Sequence, residues 1–72
     1  MMARERRAWM RIRAQALAIA GAAWEDQAGT VVERLEAVLR EPALGSVYDL
    51  SASDRSRLRG LREQAEKLAA RE

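Results

Sequence analysis

The sequence predicts an all-α chain: a small helical hairpin or a three-helix antiparallel arrangement, completed by homodimerisation. Three observations predict it. Ala, Arg, Glu, Leu and Gln dominate the 72 residues, and all are good helix formers. Apolar residues recur at steps of three and four in separate segments, as they do on helices with one buried face. Two capping patterns, Thr30 to Glu33 and Ser51 to Asp54, stand where helices would begin.

The first helix is predicted over about residues 3–28. Trp9, Ile12, Ala16, Ile19, Ala20 and Ala23 form its stripe, flanked by Leu17 and Trp24. Several stripe residues are Ala, so a neighbouring helix can approach closely. The second helix is predicted over 31–41, with Val31, Val32, Leu35, Val38 and Leu39 on its apolar face. Gly29 suits a left-handed position just past the first helix. The Thr30 hydroxyl and Glu33 carboxylate can satisfy orphan amides at the second helix's start. Pro42 stops it, because the residue before a proline disfavours helical geometry.

A rival pattern crosses this break. Met10, Ala14, Leu17, Gly21, Trp24, Ala28, Val31, Leu35 and Val38 make an unbroken heptad-like seam, compatible with one long helix over 3–40. The two glycines and the capping box favour the break. Residues 42–50 read as a loop whose Leu44, Val47, Tyr48 and Leu50 either cover the helical pair or offer a contact surface. The last helix is predicted over 52–70, with Leu58, Leu61, Ala65 and Leu68 at a,d spacing and a Glu63–Lys67 pair on its exposed side.

A chain of this length is a single domain, 1–72, with a marginal core. Small domains often need a staple. The absence of Cys excludes disulfides, and the absence of His leaves poor zinc ligands, so self-association is the expected staple.

The net charge of +2 conceals a pattern. Residues 1–13 hold five Arg and one Glu, residues 14–54 hold seven acidic groups against two Arg, and residues 55–72 hold six basic groups against three acidic. Basic ends and an acidic middle predict complementary packing within the chain or across a dimer. Arg6-Arg7-Ala8-Trp9-Met10-Arg11 resembles a twin-arginine export motif, and an Ala-rich run from Ala14 to Trp24 follows it. That run is weakly hydrophobic, carries Gln15, and falls short of the ~18 apolar residues a membrane span needs. A cytoplasmic location is therefore expected.

Catalysis finds little support. Ser46, Ser51, Ser53 and Ser56 have no evident base and sit where turn and cap chemistry explains them. No Gly-rich phosphate loop is present, and no cofactor or metal is expected. The expected function is non-enzymatic: an adaptor, inhibitor or regulator that presents a helical face to a larger protein, with Trp9, Arg13, Trp24 and Tyr48 as anchors. Arg13, placed near the centre of the first stripe, is expected to pair with Glu25, Asp26, Asp49 or Asp54. The alternative is a nucleic-acid-binding regulator using Arg4, Arg6, Arg7 and Arg11 at one end and Arg55, Arg59 and Arg62 at the other. It is less favoured. Trp9 is committed to the apolar stripe, and the connection before the last helix is too long for a helix-turn-helix. A further alternative is a structural subunit of an oligomer.

Overall fold

The computed structural model describes residues 3–40 and 50–71, and every regular element among them is helical. In chain order these are α1 (Ala3–Ala20), α2 (Ala22–Glu25), α3 (Val31–Arg40) and α4 (Ala52–Ala70). Tyr48 and the predicted loop, apart from Leu50, lie outside the described residues.

The first helix ends earlier than its periodicity predicts. Gly21 has φ 52° and ψ −125°, a combination open to glycine but outside the helical region. α2 is then a single turn that rolls Ala23 and Trp24 into the core. The apolar spacing runs through Gly21, but the helix does not. The unbroken helix over 3–40 is excluded twice, at Gly21 and over 26–30.

The start of α3 forms as its residues dictate. The Thr30 amide donates to Glu33 Oε2 at 3.1 Å, and the Glu33 amide donates to Thr30 Oγ1 at 3.2 Å. This is the reciprocal capping box. Gly29 has φ 102°, but it serves the entrance to α3 rather than the exit of α1. α4 opens with Ser51, whose Oγ accepts from the Asp54 amide at 3.0 Å. The Asp54 carboxylate is engaged with Arg57 at 3.4 Å. The expected Glu63–Lys67 pair is replaced by Arg62–Glu66 at 3.6 Å, one position earlier on each side.

α4 runs antiparallel to both α1 and α3. Ala8 and Arg11, early in α1, share a cleft with Lys67 and Arg71, while Ile19 near its end lies by Arg57 and Leu61. Likewise, the first turn of α3 lies beside Ala69 and Ala70, and the Arg55 guanidinium donates to the Leu39 carbonyl at the other end. That bond satisfies one of the orphan carbonyls of α3. α1 and α3 therefore point the same way, and the chain between them doubles back.

Among the described residues the core consists of Ile12, Ala16, Ala20, Ala23, Trp24, Leu35, Val38, Leu58, Leu61 and Ala65. Four of these ten are Ala, which lets helices approach closely around the three large, fully buried side chains Trp24, Leu35 and Leu58. In α1 the buried line runs through Ile12, Ala16 and Ala20, with Trp9, Leu17 and Ile19 packed partly against it. Arg13 is accordingly not central: its side chain is 54% exposed. Arg13 precedes Ala16, the middle of that line, by three residues and so lies about 60° round the helix from it, on the side of the partly buried Leu17.

Candidate functional site

Above the core, where the start of α3 meets the end of α4, lies an open groove of about 660 Å³. Trp9 of α1, Val31 and Val32 of α3, and Ala69 and Ala70 of α4 give it apolar walls, with Glu33 and Glu66 at its edge. Its origin is local. The capping box starts α3 at Val31, which carries the apolar face of Leu35 and Val38 one turn beyond the deepest packing. Opposite stand Ala69 and Ala70, too small to close the gap. Trp9 is half-buried one turn before Ile12, and Glu33 and Glu66 are exposed.

The three predicted anchors among the described residues meet different surroundings. Trp9 lines the groove. Arg13, in the middle of α1, lies 3.8 Å from Glu25 of α2, one of its four expected partners. Trp24 is fully buried and offers no surface to a partner. The Arg34 guanidinium lies 5.5 Å from the Trp24 ring centroid, and Trp24 Nε1 has no hydrogen-bond partner among the described residues. Tyr48 lies outside the described residues.

The basic residues also divide. Arg4, Arg6, Arg7 and Arg11 are exposed, and none forms an ion pair among the described residues. Of the five Arg in the first thirteen residues, only Arg13 reaches an acidic group there, so among the described residues the expected neutralisation by the middle segment is largely not made. The predicted second stripe is not uniform. Arg55 is committed to the Leu39 carbonyl, Arg62 to Glu66, and Arg59 is exposed.

Sequence reasoning assigned Val31 and Val32 to the core face and passed over Ala69 and Ala70. The Thr30 cap already placed both valines in a first turn, where a short partner element leaves apolar side chains uncovered. No three acidic side chains gather among the described residues, and no helix there is long and apolar enough to cross a membrane. Compared with known proteins, the chain matches no family model, no curated protein and no solved structure.

Proposed function

We propose that this chain is a non-enzymatic protein-binding module, an adaptor, inhibitor or regulator whose groove at Trp9 receives an amphipathic helix of a larger protein. The observation that carries the reading is the groove itself, with Trp9, Val31, Val32, Ala69 and Ala70 facing one open space. Apolar grooves bounded by helices take the apolar stripe of a guest helix at i, i+3, i+4 and i+7. The Glu33 and Glu66 carboxylates, exposed although they also meet the Thr30 amide and Arg62, favour a guest whose stripe is flanked by Lys or Arg. Trp9 is the anchor of choice, since partly buried Trp side chains dominate many interfaces.

The test is a selection of helical peptides from a random library against the wild-type protein, followed by binding to Val32→Glu. The reading expects selected peptides with an apolar stripe flanked by basic residues and at least ~10-fold weaker binding to the variant, or about 1.4 kcal/mol. Peptides without that pattern, or with equal affinity for the variant, would count against it.

A second reading is homodimerisation, and Met10 favours it. It is 63% exposed, and it shares the outer side of α1 with the exposed Ala3 and Ala14. Arg6, Arg7 and Arg13 border Met10 at distances of three and four residues, so such a contact would have one apolar centre and a basic rim.

A further inference from the structure

The antiparallel packing of α1 and α4 brings the two basic ends of the chain together. Arg11, Lys67 and Arg71 line one cleft of about 220 Å³, floored by Ile12 and Leu68. Arg7 and Arg4 precede Arg11 by four and seven residues, so they continue the same side of α1 toward its start. All five cations are exposed, and none has an ion partner among the described residues. Concentrating like charges here brings no evident gain to the fold, because a neutral polar residue would solvate the same surface without repulsion.

From this juxtaposition we propose that the α1–α4 seam binds the phosphate backbone of nucleic acid, independently of base sequence. Arg4 to Arg11 spans about 10 Å along the helix axis, so the array fits a ligand with several charges in a line rather than a single anion. Guanidinium groups match phosphate geometry through paired donors. Farther along the seam, Gln15 and Gln64 supply neutral donors of the kind that also bond phosphate oxygens. An acidic protein or an anionic membrane would need apolar anchors beside the charges. The exposed large apolar side chain among the described residues is Met10, a single residue that neighbours Arg7 but does not line the cleft of Arg11, Lys67 and Arg71. The seam has no aromatic residue for base stacking, which leaves backbone contact as the mode. Arg55, Arg59 and Arg62 are not part of this surface, because they lie toward α3.

The experiment is fluorescence anisotropy with the full chain and labelled random-sequence duplex and single strands, across a salt series. The wild type is expected to bind in the ~1–100 µM range, with log K falling against log salt at a slope of about −3 to −4.5 on duplex. Arg11→Gln with Lys67→Gln should weaken binding at least ~10-fold at low salt and make the slope shallower by about two units. Arg40→Gln with Arg59→Gln removes the same charge from the α3–α4 side and should leave both nearly unchanged. Circular dichroism checks folding. If the first variant unfolds, Arg4→Gln with Arg7→Gln is read in its place and should give the same loss. Absent wild-type binding at ~100 µM and low salt would overturn the proposal, as would equal losses in the two charge-matched variants. Tighter binding to a Glu-rich peptide or to phosphatidylserine vesicles than to nucleic acid would overturn it as well.

Discussion

The Glu33 carboxylate fills the space that a side chain on Gly29 would need. A Cβ built on Gly29 would overlap Glu33 Oε2, and Gly29 itself has φ 102°. Two penalties therefore meet at one position, backbone strain and displacement of a capping carboxylate. Gly29→Ala is expected to destabilise the fold by about 1–3 kcal/mol in urea denaturation. The two terms can be separated. In a Glu33→Ala background the penalty of Gly29→Ala should shrink, because strain and the 3.3 Å approach to the Cβ of residue 33 remain but the carboxylate overlap is gone. Identical penalties in both backgrounds would show that the carboxylate is not what the methyl group meets.

Gly60 should respond in the opposite direction. It lies inside α4, and a Cβ there would meet nothing within 4 Å. Gly60→Ala is expected to raise stability by about 0.5–1 kcal/mol through helix propensity and reduced freedom of the unfolded chain. Thermal and urea unfolding of the single variant would decide it, and a loss would mean that α1 packs closer to this point than the structure shows.

In α4, Leu61 is buried at 4% exposure, while Arg59 is exposed. Leu61→Ala should cost roughly 2–5 kcal/mol, since neighbouring Ala residues have few atoms with which to fill the cavity. Arg59→Ala should change stability by no more than about 0.5 kcal/mol. Comparable losses at both positions would place the helix in a different rotation.

Arg34 holds two groups at once. Its Nε donates to the Gly29 carbonyl at 3.1 Å, and its guanidinium carbon lies 5.5 Å from the Trp24 ring centroid. Lys keeps the charge but loses the Nε donor and the planar stacking face. Arg34→Lys is expected to lower stability by about 0.5–1.5 kcal/mol. An unchanged urea midpoint would show that charge alone suffices at this site.

What could be read from the sequence was local. Thr30 and Glu33 are three residues apart, and their exchange of hydrogen bonds needs nothing from the rest of the fold. The same holds for Ser51 and Asp54, and for the spacing of Leu58, Leu61 and Ala65 within one straight helix. Gly21 marks where such reading fails. Apolar spacing persists across it because Ala23 and Trp24 are buried by a change of direction, not by continuation of α1. The groove was partly legible, since Trp9 was singled out, but its other walls come from α3 and α4. The meeting of Arg11 with Lys67 and Arg71 is a consequence of antiparallel packing, and no spacing along the chain encodes it.

Self-association gives the last expectation. Among the described residues the buried core comprises ten residues, four of them Ala, and the sequence holds neither Cys for a disulfide nor His for a metal. Small cores of this kind draw further stability from a second subunit. Met10, 63% exposed on the outer side of α1, is the natural centre of such a contact. The wild type is expected to sediment as a dimer at micromolar concentration and above, with a melting temperature that rises with protein concentration, as mass action requires. Met10→Glu places a charge at the proposed contact and should return the protein to a monomer of lower melting temperature. Val32→Glu, in the groove on another side of the molecule, should leave the dimer intact. This pair of variants separates homodimerisation from occupation of the groove. A wild type that melts cooperatively as a monomer, with the same midpoint at every dilution, would remove the dimer from the account and leave the groove to a different protein.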